Sequence, residues 1–152
     1  MKRNETSKME IRFLEEKDLE EVSKLEAACF SEPWSLEDFR DILTNKDRIM
    51  LVAIEDNKIV GEIVLTDLLG EGDISNVAVN PDYRKKHIAS KLLEKIIKIG
   101  SDERNITAFT LEVREQNLPA IKLYEKAGFE SVGVRPNFYT KPKDNAVIMW
   151  KR

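Results

Sequence analysis

Glu112 and Tyr124 are the two residues of this sequence best placed to act as an acid–base pair. Glu112 lies near the carboxyl end of an apolar segment, 108–113, whose alternating pattern predicts a strand. Ligand crevices of α/β sheets lie at such strand ends, which makes Glu112 a candidate general base. Tyr124 follows Asn117 by seven residues, about two helical turns, and its phenol is a candidate proton donor. An exposed strand position for Glu112 and a core position for Tyr124 are the alternatives.

A second candidate site lies where a basic stretch meets a long helix. The pattern predicts a strand over 73–79, a turn at 81–82 and a helix that begins at Ile88. Three consecutive cations directly precede that helix: Arg84, Lys85 and Lys86. Cations are unfavourable at a helix N-terminus, whereas its free N–H groups and its dipole favour an anion. The stretch therefore indicates either a phosphate-binding turn or a solvated basic turn.

This turn differs from the known glycine-rich phosphate loops. His87 and Ala89 stand where a pair of glycines would let the backbone approach a phosphate closely. No Gly-Lys-Ser/Thr sequence follows, so a P-loop is excluded, and the stretch does not match the Rossmann pattern. His87 tolerates a left-handed backbone better than a β-branched residue would, and we assign it no catalytic role.

The composition limits the class of protein. A chain of 152 residues, 41% hydrophobic and 35% charged, is typical of one globular domain over 1–152, with 1–9 as a loose tail. A single cysteine, Cys29, expected to be a packing residue, and a single histidine exclude a disulfide framework and a His/Cys metal site, so we expect no metal. The net charge of −3 argues against a nucleic-acid partner. No apolar run approaches the roughly 20 residues of a membrane span, so no membrane association is expected.

Hydrophobic periodicity predicts about seven strands and about four helices. Ser35 and Asn117 are predicted to cap two of the helices, and Gly128 is predicted to end the last one. The mixed order of elements indicates an α/β fold with a partly antiparallel sheet, rather than a doubly wound one. Strands are expected at 11–13, 50–55, 59–66, 73–79, 108–113, 129–134 and 146–150, and helices at 17–28, 35–43, 88–99 and 117–127.

Four blocks of the sequence together resemble the GNAT acetyltransferases. They are FSEPWS (30–35) with Phe39; NVAVNPDYR (76–84); LEVR (111–114) with Asn117 and LYEKAGF (123–129); and Arg135 with NFY (137–139) and AVIM (146–149). The second block is shared by many GNAT enzymes. The other three are more specific, and they look closest to the ribosomal-protein N-terminal alanine acetyltransferases. The resemblance covers nearly the whole chain from about Ile11.

The resemblance implies the GNAT fold, a mixed and mostly antiparallel sheet, and acetyl transfer from acetyl-CoA to a protein α-amine. Glu112 matches the family's general base and Tyr124 its general acid. The pantetheine arm would bind the backbone of Val77, Ala78 and Val79 like an added strand. The other residues implied for the acetyl-CoA site are Arg84, Lys85, Lys86, His87, Ile88, Ala89, Ser90, Asn117 and Tyr124. His87 replaces the usual glycine of the pyrophosphate turn, where its Cβ could displace the backbone.

The expected acceptor is a protein or peptide N-terminus, with a small-subunit ribosomal protein as the example that the resemblance implies, in the cytoplasm. Segment 1–41 holds seven basic and twelve acidic residues, and its negative charge would attract a basic peptide. The alternatives are a GNAT enzyme for lysine or a small-molecule amine, and a non-catalytic acyl-CoA-binding or partner module. The aromatic residues expected to line the acceptor groove are Trp34, Phe39, Phe138 and Tyr139.

Overall fold

Seven strands form one mixed sheet in the computed structural model, which describes residues 9–84 and 87–152. The strands are β1 (Glu10–Phe13), β2 (Arg48–Glu55), β3 (Lys58–Leu68), β4 (Glu71–Val79), β5 (Ala108–Arg114), β6 (Glu130–Thr140) and β7 (Lys143–Lys151). The α-helices are α1 (Leu19–Cys29), α2 (Leu36–Ile42), α3 (Ile88–Arg104) and α4 (Leu118–Lys126). The predicted fold class is confirmed.

The strand order is β1-β2-β3-β4-β5-β7-β6. Only β4 and β5 pair in parallel, and the other neighbours in the sheet pair antiparallel. The parallel pair is joined through α3, as expected for strands that need a crossover connection. This places the two strands with the candidate residues side by side in the middle of the sheet.

Each face of the sheet is covered by its own set of helices and its own core. One core lies under α3 and α4 and includes Leu92, Ile96 and Leu111, all at most 2% exposed. A Cβ on Gly61 would come within 2.9 Å of Ile88, so α3 packs directly on the backbone of β3. The second core lies under α1 and α2 and includes Val22. Because side chains alternate along a strand, one face of β5 points to α3 and the other to the α1 side.

Several boundaries differ from the predictions. The last turn of α3 extends to Arg104 and ends at Asn105, which adopts a left-handed conformation. An exposed turn at Leu69 and Gly70, both with positive φ, joins β3 to β4. Leu69 is not a typical turn residue, so the sequence did not indicate it. No helix among the described residues is long and apolar enough to cross a membrane.

The edge strand β6 is longer than predicted because it continues past Pro136. Its register with β7 shifts between Arg135 and Tyr139, and Asn137 has a φ of 54°. A bulge on an edge strand accommodates a proline, which has no N–H to donate to a ladder. Of the expected N-terminal tail, residues 1–8 lie outside the described residues, whereas Met9 packs against the first core.

Candidate active site

The candidate site begins where β4 and β5 stop pairing. Their parallel ladder ends at Ile74 on β4 and Leu111 on β5. Beyond this point β5 pairs with β7, whereas the end of β4 pairs with β3. Among the described residues, no ladder joins 77–79 to β5, and we call the space between them the gap. The edge of β4 at 77–79 is therefore open to an extended ligand.

A β-bulge bends β4 just before this open edge. The register between β3 and β4 shifts at this point, and Asn76 has a φ of 54°, a conformation that asparagine tolerates. The Asn76 side-chain amide donates to both carboxylate oxygens of Glu26, at 3.1 and 3.0 Å. Because Glu26 belongs to α1, that helix holds the bulge.

The carbonyl of Val79, the last residue of β4, accepts two side-chain donors. Cys29 Sγ lies 3.6 Å away and Arg84 Nε lies 3.3 Å away. Burial raises the pKa of the Cys29 thiol, and the nearby Arg84 opposes that shift without cancelling it. Cys29 is half-buried and free, and the direction of its pKa shift fits the packing role expected for it.

The turn into α3 adopts the left-handed backbone conformation that a glycine would supply. His87 is the N-cap of α3 and lies in the left-handed region, at φ 61° and ψ 24°, with no side-chain cap. In this conformation the imidazole does not occupy the N–H groups that open the helix. Of the other predicted phosphate-binding residues, Ile88 is buried, Ala89 is half-buried and Ser90 is exposed, while Lys85 and Lys86 lie outside the described residues.

Glu112 lies on the face of β5 that points to the α1 side. Its side chain is 30% exposed and forms an ion pair with Arg135, with 3.0 Å between Oε2 and Nη1. Asp73 points to the same face from β4, one diagonal position away, since it pairs with Thr110. Burial, and then the charge of Glu112, raises the pKa of Asp73.

Tyr124 lies on the opposite face of the sheet from Glu112. It lies on the inner side of α4, is 6% exposed and contacts the ring of Phe129 edge-on at 6.1 Å between centroids. Burial, and then the neighbouring Tyr139, raises the pKa of Tyr124 to about 12. The phenol is therefore protonated at neutral pH. Asn117 starts α4 as predicted, since its Oδ1 accepts from the backbone N–H of Ala120 at 3.2 Å.

Tyr139 interacts electrostatically with both candidate catalytic groups, Glu112 and Tyr124. It raises the pKa of Tyr124, and its own pKa is raised by burial and then by the charge of Glu112. Arg114 stacks on the Tyr139 ring at 4.2 Å and donates to the carbonyls of Lys141 and Pro142. The phenol of Tyr139 therefore lies within electrostatic reach of both faces of the gap.

The connection between α1 and α2 crosses over to the turn between β6 and β7. The Ser31 hydroxyl donates to the carbonyl of Lys141, and the Thr140 hydroxyl lies 3.4 Å from a carboxylate oxygen of Glu32. These contacts join the connection between α1 and α2 to the turn between β6 and β7.

The four aromatic residues expected in the acceptor groove differ in accessibility. Trp34 is half-buried, and its ring lies 5.4 Å from that of Phe39. Phe39 is fully buried in the second core, so it supports Trp34 from below and has no surface to offer a peptide. Phe138 is 40% exposed and meets the half-buried Tyr139 at a right angle, 5.0 Å between centroids. Trp34, Phe138 and Tyr139 thus keep surface that a peptide can contact, whereas the prediction that Phe39 lines the groove is wrong, because Phe39 is 0% exposed.

Sequence reasoning missed several polar residues around the gap. Glu26 and Glu62 are buried under α1 and Asn76 is half-buried beside Glu26, while Asp73 and Arg135 lie near Glu112. Asn76 and Arg135 fall within the four blocks, but no local pattern assigned them to the site. Glu62 had a local signal, because it is the one charged residue within the otherwise apolar segment 59–65. The others became neighbours through strand pairing, which the local pattern does not show.

The family model described as the Acetyltransferase (GNAT) family matches residues 19–129. This chain belongs to the GNAT acetyltransferase family. It is 35% identical over 144 residues to the ribosomal protein bS18-alanine N-acetyltransferase of Haemophilus influenzae, covering 91% of this chain and 95% of that protein. It is 32% identical over 139 residues to an N-alpha-acetyltransferase of Saccharolobus solfataricus, covering 84% of this GNAT chain and 83% of that protein.

The fold comparison agrees with the sequence comparison. The crystal structure of the ribosomal-protein-S18-alanine N-acetyltransferase from Escherichia coli superposes on this GNAT chain with a TM-score of 0.85 at 29% identity. The match covers 95% of this chain and 93% of that one. The resemblance drawn from the four sequence blocks is therefore confirmed.

Proposed function

We propose that this GNAT protein transfers the acetyl group of acetyl-CoA to the N-terminal α-amine of a protein, and that its substrate is a ribosomal protein with an N-terminal alanine. The observation that carries the proposal is the open edge of β4 beside Glu112, which is followed along the chain by the start of α3. The similarity to alanine N-acetyltransferases over most of the chain supports the choice of acceptor.

The chain's own groups fit an acyl-CoA. The amide groups of the pantetheine arm can pair with the open backbone edge at 77–79, as an added strand would. The pyrophosphate would lie at the N-terminus of α3, where the left-handed turn at His87 leaves backbone N–H groups to bind it. We also assign to this site Arg84, which donates to the Val79 carbonyl, and Asn117, the N-cap of α4. Bound acetyl-CoA supplies an activated acyl carbon.

The acid–base roles follow from the two groups that flank the gap. A protein α-amine, with a pKa of about 8, is mostly protonated near neutral pH and cannot attack in that form. Glu112 takes one proton, directly or through a water, and frees the nitrogen lone pair for the thioester carbonyl carbon. A backbone N–H near Val79 stabilises the negative charge that develops on the carbonyl oxygen.

Tyr124 completes the proton balance. Its phenol gives a proton to the CoA sulfur as the carbon–sulfur bond breaks and the carbon–nitrogen bond remains. The nitrogen loses its second proton as the amide forms, which restores the phenol, and Glu112 passes its own proton to solvent. No covalent bond to the protein is needed.

The acceptor would enter along the groove over Glu112, between Trp34 and the pair Phe138 and Tyr139. Glu112 gives the groove floor a negative charge that suits an α-ammonium group. We further propose that the chain is one domain and that it acts in the cytoplasm, where ribosomal proteins are made.

The direct test is incubation with acetyl-CoA and a peptide that copies an alanine-first ribosomal protein N-terminus, followed by mass spectrometry. The expected product carries one acetyl group on the α-amine. A second peptide with the same sequence and a blocked α-amine is the control and is expected to stay unmodified.

Two results would replace the proposal by one of the alternatives. Acetyl groups found only on lysine side chains would indicate a GNAT enzyme with a different amine acceptor. No transfer to any amine, together with no calorimetric signal at millimolar CoA, would indicate a non-catalytic module.

A further inference from the structure

Two carboxylic acids from different elements lie buried together under α1, and the proposed mechanism uses neither. Glu62 projects from β3 and is 0% exposed, and Glu26 projects from α1 and is 2% exposed. An unpaired carboxylate in such a position would be strongly unfavourable. The pair therefore needs a structural or functional explanation.

Glu62 avoids the unfavourable burial of a charge because its carboxyl group stays protonated. Among the described residues no amide, amine or hydroxyl donates to either of its carboxyl oxygens. Burial, and then the nearby carboxyl group of Glu26, raises the pKa of Glu62 to about 11. Glu62 is thus a neutral acid at physiological pH, buried beside Glu26.

Glu26 in turn connects two walls of the proposed site. Its two oxygens accept from the side-chain amide of Asn76, the residue with positive φ in the β4 bulge. Its Oε2 also accepts from the backbone N–H of Trp34 at 3.0 Å, in the connection between α1 and α2. One buried carboxylate therefore fixes both the strand that would hold the thioester and the loop that would border the acceptor groove.

We propose that Glu26 is a positioning residue for acetyl transfer: it holds the β4 bulge so that the backbone at 77–79 is aligned with both substrates. The inference rests on the proposed function. The bulge determines which N–H groups face the gap, and a donor that stabilises a carbonyl oxyanion must be held in place before reaction. Glu26 contacts neither substrate in this account and acts through Asn76 and Trp34.

The first test is a double-mutant cycle on kcat. Glu26→Gln keeps the side-chain size but removes the charge and one acceptor. Asn76→Gly keeps the backbone conformation, which glycine adopts readily, and removes the bond to Glu26. Each variant should lower kcat about tenfold and change the KM for acetyl-CoA less than threefold. The double variant should be no slower than the slower single variant, because both changes cut one contact.

Two matched variants separate positioning from general stability. Asn57→Gly makes the same change at another asparagine of positive φ, in the hairpin between β2 and β3 away from the gap, and should leave kcat unchanged. Glu62→Gln is a conservative change at the buried neighbour of Glu26, which has no hydrogen bond to Asn76 or Trp34, and it should keep kcat within about twofold. Losses in the Asn76→Gly and Glu26→Gln variants that multiply in the double variant would overturn the proposal.

Amide hydrogen exchange supplies a readout that needs no substrate. In the free protein, Glu26→Gln should speed exchange at 76–79 at least tenfold and leave β6 unchanged. Unchanged exchange at 76–79 would overturn the positioning role even if the wild-type protein acetylates its peptide. Absence of transfer by the wild-type protein would instead overturn the proposed function, while the exchange result would still decide whether Glu26 holds the bulge.

Discussion

Glu112 and Arg135 form an ion pair across β7, with 3.0 Å between Oε2 of the carboxylate and Nη1 of the guanidinium. The two side chains lie diagonally on one face of the sheet, since Glu112 pairs with Ile148 and Arg135 with Ala146. In the free protein a guanidinium thus occupies the side of Glu112 that a substrate ammonium would need. We infer that the two cations compete for this carboxylate.

Removal of Arg135 should therefore improve binding of the acceptor. Ion pairs as exposed as this one contribute about 0.2–1 kcal/mol, so Arg135→Ala should lower the peptide KM by up to about fivefold and leave the KM for acetyl-CoA unchanged. Steady-state kinetics with each substrate varied in turn measures this. Arg40→Ala, which breaks an exposed ion pair on α2, is the control. A higher peptide KM in Arg135→Ala would show that Arg135 binds the peptide instead.

Replacement of the general base should slow the reaction most at low pH. Glu112→Gln removes the proton acceptor, and general acid–base groups typically contribute about 10²- to 10⁴-fold in rate. The loss should shrink as the pH rises through about 8, because the amine then deprotonates without help. A pH–rate series from 6 to 9.5 tests this, with Glu130→Gln on β6 as the surface control. A deficit that is equal at every pH would contradict the assignment, and CoA affinity should remain nearly intact.

Replacement of Tyr124 should slow turnover without changing the shape of the pH profile. Tyr124→Phe removes the proton donor, and kcat should fall about 10- to 1000-fold. Because the pKa of Tyr124 is about 12, the phenol stays protonated at pH 6–10, and the ratio of wild-type to variant kcat should be constant over that range. Calorimetry should show unchanged CoA affinity. Full activity in Tyr124→Phe would remove Tyr124 from the mechanism.

The turn at His87 should bind CoA nearly as well as a glycine turn. His87 already has the left-handed backbone that glycine would supply, so His87→Gly should change the CoA dissociation constant by less than about twofold. Calorimetry measures this, and Asn105→Gly, at the left-handed C-cap of α3, is the matched control. A tenfold tighter complex in His87→Gly alone would show that the Cβ displaces the turn from the phosphates.

The buried acid Glu62 should make the protein less stable as the pH rises. The pKa of Glu62 is about 11 in the folded state against an ordinary value of 4.5, so between these values only the unfolded chain releases the proton. The protonated acid therefore makes its full contribution to the free energy of unfolding below about pH 4.5. Above that pH the free energy of unfolding declines by up to about 1.4 kcal/mol per pH unit.

Glu62→Gln should remove this dependence on pH. Its free energy of unfolding should exceed that of the wild-type protein by an amount that grows between pH 5 and pH 9, as measured by urea denaturation. Glu20→Gln, exposed on α1, should show no such trend. If the free energies of unfolding of Glu62→Gln and the wild-type protein differ by the same amount at pH 5 and pH 9, Glu62 is ionised in the folded state.

The elements that the sequence predicted correctly are those with local signals. Ser35 caps α2 through the N–H of Asp38, and Asn117 caps α4, because both caps need only neighbouring residues. The break between the predicted strands 50–55 and 59–66 likewise depends on two residues that tolerate positive φ, Asp56 and Asn57. Tyr124 lies on α4, and Glu112 lies on β5, whose alternating pattern is also a local signal, so the sequence alone was sufficient to predict both as candidates.

The features that the sequence did not predict depend on pairing between distant segments. The contact between Glu26 and Asn76 joins positions 50 apart and requires the bulge in β4, for which no residue gives a local signal. The ion pair of Arg135 and the burial of Phe39 likewise follow from sheet order and helix packing. Phe39 was assigned to a groove because aromatic character alone does not distinguish a core residue from a binding residue.

A crystal structure of the protein with CoA bound tests the central claim most directly. The account predicts pantetheine hydrogen bonds to the backbone at 77–79, the pyrophosphate at the N-terminus of α3, and the sulfur within hydrogen-bond reach of the Tyr124 phenol, on the opposite side of the gap from Glu112. CoA bound elsewhere on the chain, or a sulfur position that neither side chain can approach, would contradict it.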